Sequence, residues 1–148
     1  MKEKNHFIRK QDFTMKNFFT TQSYYRSTSE KYEKTFTPDI VVINLGTNDF
    51  SKGSPVQRFV SSAKALINLV RNTYGEDVKI VWATNMMGEC MQTYTTKAIE
   101  ALGGEENGLY ICTLSENREG GYYHPSKAAH ASAATTLAKF IRDNVLDK

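Results

Sequence analysis

The chain has 148 residues, 40% of them hydrophobic, which is enough for one domain with a real core. Its 19 basic and 16 acidic side chains leave a net charge of +3, and the basic residues are dispersed, so nucleic-acid binding is not indicated. No apolar run approaches the roughly 18 residues that a membrane helix needs, and no secretory leader is visible, because no apolar segment of about 7–15 residues follows the first charged residues. The sequence thus predicts no contact with nucleic acid or membrane, and it leaves the compartment open.

The two cysteines, Cys90 and Cys112, lie in or beside apolar segments and lack the short spacing of a metal site. That context predicts two buried or half-buried free thiols rather than a disulfide. The loops also lack the G-x-G-x-x-G arrangement that cradles phosphates, which counts against a nucleotide-binding flavodoxin-like module. The sequence therefore predicts neither a metal nor a cofactor.

Residues 1–38 are the least regular part of the chain. Their apolar residues follow neither a helical nor a strand period, which predicts loop and short helix. Pro38 then favours extended geometry in its predecessor and leads into the first clear strand. We therefore divide the chain into a poorly defined N-terminal segment, 1–38, and an α/β domain, 39–148.

The first clear strand spans residues 40–45, a run of mostly branched apolar residues interrupted only by Asn44. Such a run, ended here by Gly46, is typical of a strand that is buried on both faces. A short polar turn, residues 46–49, follows it. Because ligands of open α/β sheets bind outside the carboxyl ends of the strands, this turn is a candidate site.

Helices and strands alternate through the rest of the chain. Ser54 and Pro55 predict a helix start, and apolar residues then recur every three or four positions as far as Tyr74, before Gly75 ends the helix. Further strands are predicted at 78–84 and 109–114, with a shorter helix at 92–102 between them. The apolar face of a last helix is formed by Ala129, Ala133, Leu137, Phe140 and Ile141.

This β-α-β-α-β-α order predicts a parallel sheet with right-handed crossovers. The fold class is therefore α/β, with three layers in a flavodoxin-like arrangement. Because parallel strands have their carboxyl ends at one edge of the sheet, the loops 46–49, 85–89 and 120–125 are expected to meet there.

Two side chains on these loops suit acyl transfer. The amide of Asn48, held just after a strand, can donate a hydrogen bond to a developing oxyanion, which is worth roughly 3–4 kcal/mol when the donor is well placed. Because imidazole titrates close to neutral pH, His124 can act as the base that activates a hydroxyl nucleophile. Each residue also has a plain structural explanation, since Asn48 and Asp49 can be turn residues and His124 can be a helix cap.

The sequence around these residues resembles a known family. The phrase Gly46-Thr-Asn-Asp49, after Val-Val-Ile-Asn-Leu, is similar to the third conserved block of the SGNH (GDSL-like) hydrolases, and His124-Pro-Ser is similar to their fifth block. The longer phrase 37–51, together with Tyr-His-Pro-Ser and a second histidine, His130, resembles the family 2 carbohydrate esterases, which deacetylate xylan and related polysaccharides. The resemblance covers about residues 37–141.

The resemblance implies a hydrolase without a metal or cofactor that acts on an acylated small molecule or polysaccharide. It makes His124 the general base, and it makes Asn48 and Gly46 the donors of the oxyanion hole. Asp49 and Tyr123 would then support the site. Esterases of this family are usually exported, although no export signal is visible in this chain.

The chain departs from the family pattern at two places. The block with the nucleophilic serine and the following oxyanion-glycine block are not recognisable, because residues 1–38 hold no apolar strand that ends in such a serine. The acidic residue expected three positions before the histidine is replaced by Gly121. The resemblance accommodates the second departure, because in family 2 esterases a backbone carbonyl can orient the ring.

The missing blocks also imply that the first two strands of the sheet are absent. The strand at 40–45 would then lie at an open edge, which is an aggregation hazard unless something covers it. Residues 1–38, a partner chain, or an upstream part of a larger protein could do so.

Two functions therefore remain open at this point. The chain can be an esterase domain that hydrolyses acetyl or other short acyl esters by Ser-His chemistry. Alternatively it is a truncated or degenerate domain that binds carbohydrate or a partner protein without turnover. Tyr122, Tyr123, Trp82 and Tyr94 are aromatic residues that could stack on sugar rings, although for Trp82 packing in the core is the favoured expectation.

Overall fold

A computed structural model describes residues 36–50, 56–88 and 92–147. Their helices and strands all lie in one compact unit that begins at Pro38. The loop and short helix predicted for residues 1–38 fall outside the described residues, apart from 36–38, and remain a prediction.

The sheet has three parallel strands in the order β1-β2-β3, which confirms the predicted α/β fold. They are β1 (Ile40–Ile43), β2 (Lys79–Thr84) and β3 (Leu109–Thr113). Val42 pairs in register with Val81, and Trp82 pairs with Ile111. Each strand lies inside its predicted range and is one or two residues shorter.

Helices connect and follow the strands. They are α1 (Thr47–Phe50), α2 (Val56–Tyr74), α3 (Gln92–Glu100) and α4 (Lys127–Ile141), with short 3-10 turns at Gly104–Asn107 and Gly121–Tyr123 and a π-helical turn at Arg142–Leu146. Ser126 caps α4, because its side chain accepts a hydrogen bond from the backbone N–H of Ala129 at 3.2 Å. The predicted helix start at Ser54 and Pro55 lies outside the described residues. None of the described helices is long and apolar enough to cross a lipid bilayer.

The core has one cluster on each face of the sheet. On one face α2 buries the residues of its apolar stripe, and the ring of Phe59 packs edge-to-face on that of Trp82, with 6.4 Å between the ring centroids. Successive residues of a strand point to opposite faces, so the neighbours of Trp82 in β2 lie on the other side. There the apolar face predicted for α4 packs on β2 and β3, through Ala133, Leu137, Phe140 and Ile141. These helices on both faces give the three predicted layers.

The expectation that β1 is buried on both faces is wrong. The side chain of Ile43 is 1% exposed, whereas that of Val42, which points to the opposite face, is 42% exposed. The physical reason is the position of α4, which packs mainly on β2 and β3. Among the described strands β1 also lies at the edge of the sheet. Coverage of this edge by a partner chain remains a prediction.

Cys112 is a free and buried cysteine, as predicted. Burial raises the pKa of its thiol, because the apolar surroundings disfavour the thiolate. Cys112 therefore serves the core rather than any nucleophilic chemistry. Cys90 lies outside the described residues.

Candidate active site

A cleft of about 190 Å³ opens at the carboxyl end of the sheet. It lies where the ends of β1 and β2 meet the segment that leads into α4. Its walls are formed by Asn44, Leu45, Thr47, Ala83, Thr84, Asn85, Met86, Met87, His124, Pro125 and His130. Each of the three loops that the sequence placed at this edge thus contributes residues to one cavity.

The turn after β1 is built around a glycine. Gly46 is buried and has a φ of +121°, a conformation that side-chain-bearing residues rarely adopt. The backbone N–H of Asp49 donates to the carbonyl of Gly46 at 3.0 Å, which closes the turn and starts α1. The indole N–H of Trp82 donates to the carbonyl of Leu45 at 3.2 Å and ties the end of β1 to the core. One hydrogen bond within the turn and one from the core thus fix the backbone carbonyls of Gly46 and Leu45.

The predicted oxyanion and support residues lie in this turn. The backbone of Asn48 belongs to α1, and its side chain lies outside what the structure describes. Asp49 is half-buried, and burial raises the pKa of its carboxyl, although a hydrogen bond from its own backbone N–H acts in the opposite direction. Asp49 and Gly46 are not among the described residues that line the cleft.

His124 reaches the cleft from the segment before α4. Its ring Nδ1 lies 3.0 Å from the backbone carbonyl oxygen of Tyr122. Because a carbonyl oxygen only accepts, this hydrogen bond requires a proton on Nδ1 and leaves the lone pair on Nε2. A histidine in this tautomer can take a proton at Nε2, as a general base must.

A strained turn presents this carbonyl to the ring. Tyr122 and Tyr123 have φ values of +54° and +58°, in a region that residues other than glycine seldom occupy. Two backbone hydrogen bonds close the turn, from Gly120 N–H to the His124 carbonyl at 2.7 Å and from His124 N–H to the Gly121 carbonyl at 3.1 Å. The group that contacts Nδ1 is thus a backbone oxygen one residue after Gly121, the position at which the family pattern has an acid.

Two polar atoms at the end of β2 are buried without a hydrogen-bond partner in the described part of the chain. They are Thr84 Oγ1 and Asn85 Oδ1, and both residues line the cleft. Asn85 has a φ of +76°, and its Nδ2 donates to the carbonyl of Leu114 at 3.0 Å, which fixes which way the amide points. Sequence reasoning singled out the loop 85–89 but neither of these residues. The sequence did offer one indication for Thr84, because it lies two and four residues after Trp82 and Ile80 in β2 and therefore on the same buried face of the strand.

His130 also lines the cleft, from the first turn of α4. The sequence noted it only as part of the family phrase. Tyr123 is 79% exposed and is not among the described residues of the cleft wall. Within the described ranges no three side chains of His, Cys, Asp or Glu are grouped so that they could hold a metal ion.

The aromatic residues considered for sugar stacking do not form one cluster. Trp82 is 1% exposed and belongs to the core, which confirms the core packing expected for it and removes it from any sugar contact. The ammonium group of Lys97 lies 5.8 Å from the ring centroid of Tyr94. Tyr122 and Tyr123 are 95% and 79% exposed, next to His124. Of the four, these two form an exposed pair of aromatic side chains, just before His124 in the chain.

The chain is similar in sequence to known hydrolases. The family described as GDSL-like lipase/acylhydrolase matches residues 5–139. The match includes residues 5–36, which precede the recognised motifs. The cellulase/esterase CelE of Acetivibrio thermocellus is 30% identical over 123 residues, which cover 74% of this chain and 15% of that protein.

Solved structures show the same fold. A family two carbohydrate esterase from Cellvibrio japonicus superposes with a TM-score of 0.75 and 19% identity, over 84% of this chain and 38% of that one. An acetyl xylan esterase from Butyrivibrio proteoclasticus superposes with a TM-score of 0.65 and 21% identity, over 78% of this chain and 39% of that one. A family two carbohydrate esterase from Clostridium thermocellum, in complex with cellohexaose, superposes with a TM-score of 0.61 and 30% identity, over 72% of this chain and 36% of that one. The chain spans less than half of each of these proteins.

Proposed function

Since the chain belongs to the GDSL-like lipase/acylhydrolase family, we propose that it hydrolyses acetyl or other short acyl esters, with acylated polysaccharide as the substrate class. The observation that carries the proposal is the hydrogen bond from His124 Nδ1 to the Tyr122 carbonyl, in a ring that lines a cleft at the carboxyl end of the sheet. The carbohydrate-esterase relatives support the choice of substrate.

The proposed reaction is a two-step acyl transfer. The Nε2 lone pair of His124 takes the proton of a serine hydroxyl while the serine oxygen attacks the ester carbonyl. The amide of Asn48 and the backbone N–H of Gly46 donate to the oxyanion that forms. His124 then gives its proton to the leaving alcohol, which leaves an acyl-serine. A water molecule that His124 deprotonates attacks this ester, the bond between the acyl group and the serine oxygen breaks, and His124 returns the proton to that oxygen as the acid leaves.

The Tyr122 carbonyl takes the role that an acidic side chain usually has beside a catalytic histidine. It holds the imidazole in the required tautomer and orientation. A carbonyl oxygen carries only a partial charge, so it stabilises the imidazolium less than a carboxylate does. The rigid turn from Gly120 to His124 offsets part of that loss by fixing the ring before the substrate arrives.

The nucleophile is the residue that the proposal leaves to experiment. Ser23, Ser27 and Ser29 lie in a part of the chain that the structure does not describe. The family match begins at residue 5 and includes all three. No described feature singles out one of them.

Hydrolysis of p-nitrophenyl acetate tests the proposal. We expect turnover by the wild-type protein and a loss of about 10²–10⁴-fold in kcat for His124→Ala, the usual contribution of a positioned base. Lys127→Ala is the control, since Lys127 is exposed at the start of α4 and does not line the cleft. Equal turnover by His124→Ala and the wild type would exclude His124 as the base.

A second function, carbohydrate binding without turnover, is favoured by one observation. The side chains of Tyr122 and Tyr123 are almost fully exposed although each is large and aromatic. Adjacent exposed tyrosines can stack on sugar rings. The Clostridium thermocellum relative was solved with cellohexaose bound, which supports a glucan as the first ligand to try.

Calorimetric titration with cellohexaose separates the two functions. If the domain only binds, the wild type takes up the oligosaccharide, and the double variant Tyr122→Ala/Tyr123→Ala loses about tenfold or more in affinity. In that case p-nitrophenyl acetate is not hydrolysed. Turnover that depends on His124 would instead establish the esterase.

A further inference from the structure

Asn117 makes four hydrogen bonds, and two of them join the two sides of the cleft. Its backbone N–H donates to the carbonyl of Met86 at 3.1 Å. Its side-chain Oδ1 accepts from the backbone N–H groups of Ser126, at 3.0 Å, and Glu119, at 3.2 Å. Its Nδ2 donates to the carboxylate of Glu119 at 2.9 Å. Three polar groups of this half-buried residue, its backbone N–H, Oδ1 and Nδ2, are thus engaged.

The two segments that Asn117 connects both belong to the cleft. Met86 is part of its wall on the β2 side. Ser126 is the N-cap of α4 and stands two residues after His124. The bond to Ser126 N–H therefore fixes the point at which the histidine segment leaves the strained turn and enters the helix.

Arg118 strengthens the same connection. Its guanidinium donates to the carbonyl of Met87 at 2.7 Å and pairs with Glu116 at 2.7 Å. Gly88 completes this packing, because a Cβ at that position would lie 2.8 Å from the Arg118 guanidinium. The loop after β3 is thus bound along the loop after β2, and the side chain of Asn117 extends the connection to the histidine segment.

We propose that Asn117 is a positioning residue for His124, and the inference rests on the proposed esterase function. Asn117 has no contact with the reacting atoms in this account. It holds the Ser126 end of the histidine segment at a fixed distance from the β2 loop, so that the imidazole stays at its place in the cleft. The Tyr122 carbonyl fixes the rotation of the ring, and Asn117 fixes the location of the backbone that carries it.

Kinetics of Asn117→Ala test this role. We expect kcat for p-nitrophenyl acetate to fall about 10–100-fold, because small misplacements of a catalytic group are costly, while KM changes about threefold or less. Asn107→Ala is the matched control. Asn107 makes a comparable hydrogen bond, from Nδ2 to the Leu102 carbonyl at 2.8 Å, on the 3-10 turn before β3. A wild-type kcat for Asn117→Ala would overturn the proposal.

A pair of substitutions that exchanges the amide and the carboxylate of this contact separates a positioning role from a general loss of stability. Asn117→Asp keeps the acceptor for Ser126 N–H but places a second carboxylate against Glu119, so kcat should fall. Adding Glu119→Gln restores a hydrogen bond across the same 2.9 Å contact, with the amide at position 119 donating to the carboxylate at position 117. We expect the double variant to recover kcat to within about threefold of the wild type, since a repaired contact in one hydrogen-bond network is not additive. A double variant no better than Asn117→Asp would contradict the assignment.

Nitrogen NMR of the histidine rings gives a readout that needs no turnover. In the wild type His124 should be in the Nδ1–H form, and in Asn117→Ala it should show both tautomers. If the wild type hydrolyses no ester in a His124-dependent manner but the tautomer still changes in this way, the esterase proposal fails and the positioning role stands. If turnover depends on His124 while neither kcat nor the tautomer responds to Asn117, only the positioning role fails.

Discussion

At the scale of single residues, the most unusual feature is unsatisfied polarity at the end of β2. Thr84 is 5% exposed, and its hydroxyl has no hydrogen-bond partner among the described residues. A buried hydroxyl without a partner costs about 1–3 kcal/mol relative to a satisfied one. Such a cost beside His124 is typical of a residue whose position is set by the cleft rather than by the core.

The stability of Thr84→Val follows from this arrangement. Valine has nearly the same shape without the hydroxyl, so we expect the free energy of unfolding in urea to rise by about 1 kcal/mol. Thr95→Val is the matched control, because Thr95 is equally buried but has an interaction partner. That variant should be destabilised. A loss of stability in Thr84→Val as large as in Thr95→Val would show that the Thr84 hydroxyl is satisfied.

The pH dependence of stability tests the environment of Asp49. Burial raises the pKa of its carboxyl in the folded state. The folded protein therefore binds this proton more tightly than the unfolded chain, whose aspartates titrate near about 3.9. The resulting stabilisation is present below that value and is lost as the pH rises through the folded pKa.

Asp49→Asn removes this dependence. We expect the variant to be at least as stable as the wild type at pH 7, with the advantage shrinking as the pH is lowered through the folded pKa of Asp49 and lost below the unfolded value. Urea unfolding at a series of pH values measures it, with the exposed Asp77→Asn as control. A variant that is less stable than the wild type by the same amount at every pH would contradict a burial-raised pKa.

At the scale of elements, the turn from Gly120 to His124 decides the geometry of the site. Gly120 has a φ of −84°, which any residue can adopt, so conformational freedom does not explain the glycine. Space does. A Cβ at Gly120 would lie 2.7 Å from the carbonyl oxygens of both His124 and Pro125, and these are backbone atoms that cannot move without the histidine.

Gly120→Ala should therefore displace His124. We expect kcat for p-nitrophenyl acetate to fall at least about tenfold. The adjacent Gly121→Ala is a close control, because nothing lies within 4 Å of a Cβ built there. It should retain most of the wild-type kcat. Equal effects of the two substitutions would mean that the turn does not transmit the crowding to the imidazole.

Sequence patterns could predict the elements but only part of this site. The spacing of apolar residues indicated β1 to β3, α2 and α4, because each buries one face or stripe against a neighbour. The topology also placed His124 beside the ends of β1 and β2. The orienting group of His124 could not be predicted from the residues themselves, since it is a backbone oxygen, Tyr122 O, and a carbonyl has no sequence signature. Asn117 was missed for a similar reason, because its partners are mostly backbone groups.

At the scale of the whole molecule, the described sheet is a three-stranded part of a fold that its relatives share over less than half of their own length. The sequence predicted a buried first strand, but burial is decided by which helix covers which strand, and α4 covers β2 and β3. The described walls of the cleft nevertheless come from the end of β1, the end of β2 and the entry to α4. These three are all present in one compact unit.

Covalent labelling with a fluorophosphonate probe shows directly whether His124 activates a serine for acyl transfer. The oxygen of an activated serine displaces fluoride from the phosphorus of such a probe and forms a stable phosphonate ester. Intact-mass measurement followed by peptide mapping should find one adduct, on one serine, in the wild type and at least about a hundredfold slower labelling in His124→Ala. An absence of any serine adduct in the wild type, or the same labelling rate in both proteins, would contradict the account.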